Sequence, residues 1–158
     1  MKALVVYDSV FGNTEKVALA IGEALGSQDE VSTLRVGDVK QEQLSGLDLL
    51  IVGSPTRAFK ATPATMKLLA AIPSGGLAGT KVAAFDTRIS IEKTNSRVLS
   101  AMVRVFGYAA KPIANKLTKK GGDLALPPEG FFVEDSEGPL TDGELERAAA
   151  WAAQLVAK

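Results

Sequence analysis

Short apolar runs and helical stripes alternate along this chain. The runs are dense in aliphatic side chains, which is typical of strands buried on both faces of a sheet. They predict strands at 2–8, 31–36, 49–52 and 81–85, and a fifth at 124–133 that Pro127 and Pro128 interrupt. Apolar residues at helical spacing predict helices at about 13–25, 63–72, 94–106 and 109–120, and a closing helix after a capping box at 141–144.

This alternation predicts the α/β class. Five units of strand and helix indicate a doubly wound, three-layer sandwich around a five-stranded parallel sheet, because parallel strands need helical crossovers. We see no linker or repeat in residues 1–158, so we expect a single domain. Ligands of such sheets bind beyond the carboxyl ends of the strands, where the strand order reverses. The loops after the first, third and fourth strands are therefore the candidate site.

The loop after the first strand carries the strongest signal. Ser9-Val10-Phe11-Gly12-Asn13-Thr14 joins a buried strand to a helical stripe and has hydroxyl residues at both ends. A helix N-terminus offers unpaired N–H groups and a partial positive charge, which suits a phosphate dianion. The pattern fits equally well an ordinary turn in which Ser9 or Asn13 caps the helix.

The other two loops are rich in polar and ring-bearing residues. Gly53-Ser54-Pro55-Thr56-Arg57-Ala58-Phe59 follows the third strand, and Asp86-Thr87-Arg88 follows the fourth. A plain turn does not need such a series, so the pattern favours a binding site. Phe59 also fits the core, and Arg57 also fits a salt bridge to Asp86 or Glu92.

Composition narrows the chemistry. The chain has no Cys and no His, which excludes thiolate nucleophiles and removes the commonest general base and metal ligand. We therefore predict no catalytic side chain and no metal site, and we assign any chemistry to a bound cofactor. The apolar run after Lys2 ends at Asp8, too short for a signal peptide, and no run approaches the ~20 apolar residues of a membrane span. We expect a cytoplasmic protein without membrane contact.

With these loops in place, the whole chain resembles the flavodoxin-like family. The 9–14 loop is similar to the family's phosphate loop, and 53–57 is similar to the Pro-Thr-Arg loop of flavodoxin-like quinone reductases. The segments 137–140 and 143–147 resemble the C-terminal end of such proteins. The resemblance implies the strand order 2-1-3-4-5 and FMN as the cofactor. It implies that FMN is bound by Ser9, Val10, Phe11, Gly12, Asn13, Thr14, Ser54, Pro55, Thr56, Arg57, Ala58, Phe59, Asp86, Thr87 and Arg88.

The resemblance also implies a role for each loop. Amides and hydroxyls of the 9–14 loop would hold the phosphate. Thr56 and Arg57 would face the edge of the isoalloxazine ring, with Phe59 as an apolar contact. Residues 86–88 would meet the ribityl chain or the pyrimidine side of the ring.

Two departures from the family pattern bear on these roles. Phe11 replaces a hydroxyl residue of the phosphate loop, which predicts weaker phosphate binding and makes its ring a second candidate for flavin contact. No aromatic residue directly follows the fourth strand, where the family usually has one. An extension at about 88–107 stands there instead, and it fits either a lid over the flavin or a surface hairpin without ligand contact.

Charge is balanced overall but uneven along the chain, which contains 18 Lys and Arg and 18 Asp and Glu. Residues 57–120 hold 12 basic and two acidic residues, against four and eight in 1–56 and two and eight in 121–158. A basic rim favours an acidic redox partner protein or a small anionic or quinone acceptor, unless acidic neighbours in the fold offset it. Zero net charge, without an aromatic–basic motif, argues against nucleic acid.

The predicted function is electron transfer by an FMN-binding, flavodoxin-like carrier. An FMN-dependent, quinone reductase-like enzyme is an alternative, because the extension could form room for a substrate. A scaffold or regulatory module of the same fold that holds no flavin is another, because of Phe11 and the missing aromatic residue.

Overall fold

The computed structural model describes residues 1–26, 30–89 and 108–156. Within them one sheet contains β1 (Ala3–Tyr7), β2 (Val31–Arg35), β3 (Leu49–Pro55), β4 (Lys81–Ile89), β5 (Asp123–Leu124) and β6 (Glu129–Val133). The helices are α1 (Asn13–Ala24), α2 (Pro63–Ala71), α3 (Ala110–Lys119) and α4 (Glu144–Val156). Two 3-10 turns, Val36–Asp38 and Gln41–Leu44, follow β2.

The sheet has the predicted topology. Its order is β2-β1-β3-β4-β5, and every pair of strands is parallel. β5 and β6 both pair with the edge of β4 that faces away from β3, so they are two segments of one strand position. The interruption falls at 125–128, where Pro127 and Pro128 have no N–H to give to the ladder. The five-position sheet and its broken last strand are therefore confirmed.

The helices cover the sheet in two layers. α2 and α3 pack on one face and α1 and α4 on the other, each over its own apolar core. In the second core the rings of Phe85, Phe131 and Trp151 meet edge to face, with centroids 6.0, 6.1 and 6.2 Å apart. Gly53 makes room for this group, since a Cβ there would lie 2.0 Å from Cζ of Phe85. Together the layers form the expected three-layer sandwich.

Two strands run further than the sequence predicts. β3 continues to Pro55 and β4 to Ile89, so Ser54 and residues 86–88 lie in strands rather than in loops. The reason is pairing between strands: β4 gains β6 as a partner, with Asp86 opposite Gly130. The sequence predicts an end at Phe85 because the polar Asp86 interrupts the apolar run.

The predicted helix at 94–106 and most of the extension lie outside the described residues. Of the helices in the described ranges, none combines the length and the apolar character that a membrane crossing requires.

Candidate functional site

A cavity of about 330 Å³ lies where the sheet order reverses, beyond the carboxyl ends of β1, β3 and β4. It brings together residues of all three predicted loops: Ser9, Val10, Phe11, Asn13, Thr14, Pro55, Thr56, Arg57, Ala58, Thr87 and Arg88. Ile89, Val133 and Ser136 also line it, and the sequence had not singled them out. The three loops chosen from the sequence therefore converge on one site.

The loop after β1 presents unpaired amides at this cavity. The N-cap residue of α1 is Gly12, so neither Ser9 nor Asn13 is the N-cap. Oγ of Ser9 nevertheless accepts the amides of Gly12 and Glu15 at 3.1 and 3.3 Å, and so pairs one amide of the first turn from outside the helix. Gly12 has a φ of 92°, a left-handed conformation that suits glycine. Four further loop amides donate to no acceptor within the described residues: Val10, Phe11, Asn13 and Thr14. Ser9 thus pairs two amides of the loop region, and the loop still offers donors to an anion.

Two side chains of this loop bind the protein itself. Nδ2 of the buried Asn13 donates to the carbonyl of Glu137 at 3.1 Å. The hydroxyl of Thr14 lies 2.8 Å from that of Thr87, in a buried hydrogen bond between the start of α1 and the end of β4. The available donors of the loop are therefore chiefly its backbone amides.

The loop after β3 closes as a tight hairpin turn. Arg57 and Lys60 exchange both backbone hydrogen bonds, at 2.8 and 2.9 Å. Between them Ala58 and Phe59 have φ values of 48° and 68°, the left-handed pair of a type I′ turn. Because such values favour Asn and Gly, Ala and Phe are strained here. Phe59 is half-buried and lies outside the cavity lining, so its expected flavin contact has no support from this geometry.

Arg57 and Phe11 join the first and second loops at the cavity. Cζ of Arg57 lies 5.5 Å from the centroid of the Phe11 ring, within cation–π range. Phe11 is 47% exposed, so the pair is open to solvent. No ion pair links Arg57 to any acid of the described ranges, so the salt bridge to Asp86 is wrong, and Glu92 falls outside those ranges.

Arg88 is held rigidly in the wall of the cavity. Its Nε and Nη2 donate to the two carboxylate oxygens of Asp86 at 2.6 and 2.7 Å. Its Cζ lies 3.7 Å from the centroid of the Tyr108 ring. Gly130 leaves the space that the guanidinium occupies, since a Cβ there would lie 2.1 Å from Nε of Arg88. Burial raises the pKa of Asp86, while Arg88 and the amide of Ala110 oppose that rise.

Three predicted residues stand behind the cavity rather than in it. Asp86 is fully buried and accepts the Ala110 amide at 2.9 Å. Ser54 is also fully buried, and its Oγ accepts the amide of Thr62 at 3.0 Å. Gly12 shapes the first loop without lining the cavity. Asp86 and Ser54 thus hold the backbone around the site, and a direct contact with FMN is not supported for them.

Two side chains near the site were missed by sequence reasoning. Nη1 of Arg35 donates to the carbonyl of Ser9 at 2.9 Å, although Arg35 lies 26 residues further along the chain. Tyr108 supplies an aromatic ring beside Arg88 from beyond the extension. Only the parallel pairing of β1 with β2 places Arg35 beside Tyr7, and no local pattern marks either residue.

Comparison with known proteins identifies the fold. The chain matches solved structures over nearly its whole length: Flavodoxin 1 from Bacillus cereus has a TM-score of 0.77 at 19% identity, covering 99% of this chain and 97% of that one. A flavodoxin from the domain Archaea has a TM-score of 0.71 at 27% identity, covering 98% and 96%. Rubredoxin oxygen:oxidoreductase from Desulfovibrio gigas has a TM-score of 0.69 at 23% identity, covering 99% of this chain but 37% of the larger protein. No curated protein sequence matches this chain.

A family model settles the relationship. The Flavodoxin domain model matches residues 4–127, which contain all three loops of the site. The parallel order 2-1-3-4-5 and the structural matches agree with it. This chain therefore belongs to the flavodoxin domain family, whose members bind a flavin and transfer electrons.

Proposed function

We propose that this protein binds FMN in the cavity at the carboxyl ends of β1, β3 and β4 and acts as an electron carrier. The observation that supports it most strongly is the set of unpaired amides at the N-terminus of α1. They face a cavity formed at the point where the strand order reverses.

The donor set fits the phosphate of FMN. The unpaired amides of the 9–14 loop are arranged around Gly12, whose left-handed φ allows the backbone to approach an anion closely. Ser9 accepts two amides through Oγ and keeps its hydroxyl proton for donation. Oxygen atoms of a phosphate dianion would complete the hydrogen bonding of this loop.

The remaining walls suit the ring system. Phe11 and Arg57 offer an aromatic face and a guanidinium at one side of the cavity, and Arg88 lies in the wall. We assign Thr56 a structural part as well, because its Oγ1 accepts the amide of Ala109 at 3.1 Å. Bound FMN supplies one- and two-electron redox chemistry, and the chain has no Cys with which to form a redox-active disulfide of its own.

The rim of the cavity favours a partner with charges of both signs. Arg57 lines the cavity and Lys60 pairs with it through the backbone, while exposed acids lie at 134–137 beside Ser136, which also lines the cavity. Acids therefore lie near part of the basic stretch, and Arg57 stays an exposed cation at the cavity that could attract an anionic group. We propose a redox partner protein or a small anionic or quinone acceptor in the cytoplasm as the counterpart.

A pair of matched variants tests the cofactor. Val10 and Leu19 are each 52% exposed, but Val10 lines the cavity and Leu19 lies on α1 outside its lining. Purified protein is titrated with FMN, and quenching of flavin fluorescence is recorded. Wild type and Leu19→Asp should bind FMN, whereas Val10→Asp should bind it about tenfold more weakly, because the new carboxylate repels the phosphate. A wild-type protein that leaves FMN fluorescence unquenched would contradict the proposal and favour a scaffold without flavin.

A further inference from the structure

We infer that Arg35 is a positioning residue that makes the loop after β1 selective for phosphorylated ligands. It does so by fixing the Ser9 carbonyl and by neutralising two carboxylates beside the loop. The inference rests on the proposed binding of FMN and adds a residue that lies outside the three loops.

The first part of the argument is a hydrogen bond. Nη1 of Arg35 donates to the carbonyl of Ser9 at 2.9 Å. The Oγ of the same residue receives the amides of Gly12 and Glu15. Ser9 is therefore held at its carbonyl by Arg35 and at its hydroxyl by the loop. Its orientation determines where the unpaired amides point.

The second part is the charge around the loop. Asp8 precedes the loop, and its Oδ1 lies 3.7 Å from Nη1 of Arg35. Glu15 lies in the first turn of α1, and its Oε2 lies 3.3 Å from Nη2 of Arg35. Without Arg35 two negative charges would flank a loop that is meant to hold a dianion. No other cation of the described residues pairs with either carboxylate.

The guanidinium is also fixed in place. Its Cζ lies 5.3 Å from the centroid of the Tyr7 ring, and the Tyr7 hydroxyl donates to Glu15 at 2.7 Å. Parallel pairing sets Tyr7 directly opposite Arg35. The side chain of Arg35 is 40% exposed, so its ion pairs add little to the stability of the fold. Removal of the charge should therefore leave a folded protein.

The test compares ligands that differ in the phosphate. Wild type, Arg35→Gln and Arg35→Lys are titrated with FMN and with riboflavin, and inorganic phosphate is assayed by its effect on the melting temperature. Arg35→Gln should bind FMN about tenfold more weakly while riboflavin affinity stays within about twofold. Phosphate should raise the melting temperature of the wild type more than that of this variant at the same phosphate concentration. Arg35→Lys keeps the charge and should recover part of the FMN affinity.

A double variant separates charge from structure. Arg35→Gln/Glu15→Gln removes one of the two carboxylates that Arg35→Gln leaves without a cation. Its FMN affinity should therefore be higher than that of Arg35→Gln alone. Lys81→Gln is the matched control. Lys81 begins β4, at the end of that strand away from the cavity, so its loss should change neither the FMN affinity nor the riboflavin affinity. Equal losses for FMN and riboflavin in Arg35→Gln would overturn the inference, because they would show a general structural role. A wild type that responds to phosphate but binds no flavin would refute the proposed cofactor, while the phosphate arm would still decide the role of Arg35.

Discussion

Removal of the Arg88 guanidinium should destabilise the protein, because it leaves the buried Asp86 carboxylate without its ion-pair partner. Asp86 is 0% exposed and receives two hydrogen bonds from Arg88, at 2.6 and 2.7 Å, and one from the Ala110 amide at 2.9 Å. Arg88→Met retains much of the apolar stem and removes both charged bonds. Removing one partner of a buried ion pair costs about 3–5 kcal/mol. That is a large share of the roughly 5–15 kcal/mol by which a domain is stable.

The size of this loss should depend on pH. Burial raises the pKa of Asp86 above its ordinary value, and loss of Arg88 should raise it further. A group with a raised pKa in the folded state contributes stability that is complete below the unfolded pKa. That contribution is lost as the pH rises through the folded pKa. The deficit of Arg88→Met should therefore be small near pH ~4, where a buried Asp86 can bind a proton, and should grow as the pH rises toward neutral.

Urea unfolding measures this directly. Fluorescence of Trp151, the one tryptophan of the chain, reports the unfolding of the core. Arg57→Met is the control, since Arg57 is exposed and has no ion-pair partner in the described ranges, and its loss should stay within about 0.5 kcal/mol. Replacing both members, Asp86→Leu with Arg88→Met, should restore part of the stability but not all of it, because the buried Ala110 amide then loses its acceptor. A loss in Arg88→Met below about 1 kcal/mol at pH 7, or one that is equal at both pH values, would refute the reasoning.

Three further predictions concern other positions. Gly130→Ala places a Cβ 2.1 Å from Nε of Arg88 and should cost about 1–3 kcal/mol in urea unfolding, with a smaller loss in the Arg88→Met background. Burial alone would raise the pKa of Glu144, but hydrogen bonds from Arg147 and the Phe132 amide outweigh burial and hold that pKa low. The Glu144 carboxylate therefore stabilises the fold at pH values above its pKa in the unfolded chain. Glu144→Gln should therefore lose about 1–3 kcal/mol at pH 7 and converge with wild type as the pH falls below ~4; a constant gap would contradict this. Ala58→Asn should increase the free energy of unfolding by about 0.5–1 kcal/mol, because Asn tolerates the left-handed φ of 48°. The gain should appear as a higher melting temperature.

Much of the fold could be predicted because its signals are local. Thr62 and Pro63 begin α2 as predicted, and the Thr62 hydroxyl accepts the Thr65 amide at 3.4 Å. Gly26, with a φ of 112°, stands just past the end of α1. The site loops could be located for a similar reason, since the carboxyl ends of parallel strands share one edge of the sheet.

What the sequence could not predict depends on distant partners. The capping box expected at 141–144 does not form, because the Glu144 carboxylate turns instead to the Phe132 amide at 2.7 Å and to Arg147. The Thr141 hydroxyl is left buried without a partner among the described residues. The length of β4 likewise depends on β6, which lies some 40 positions further along. Helix and strand propensities depend on residues close together in sequence, so they cannot predict these contacts.

The structure separates the residues that build the site from the groups left to bind a ligand. Asn13, Thr14, Thr56 and Asp86 were selected for their polar side chains, yet each uses that side chain to fix another segment of the protein. Apart from the Ser9 hydroxyl, the donors that remain around the proposed phosphate position are backbone amides, which no substitution removes except proline. Affinity for a phosphate should therefore be insensitive to most single side-chain changes within the loop. The exceptions should be a side-chain change that adds negative charge within the loop, as at Val10→Asp, and a change in what holds the loop backbone, as at Arg35.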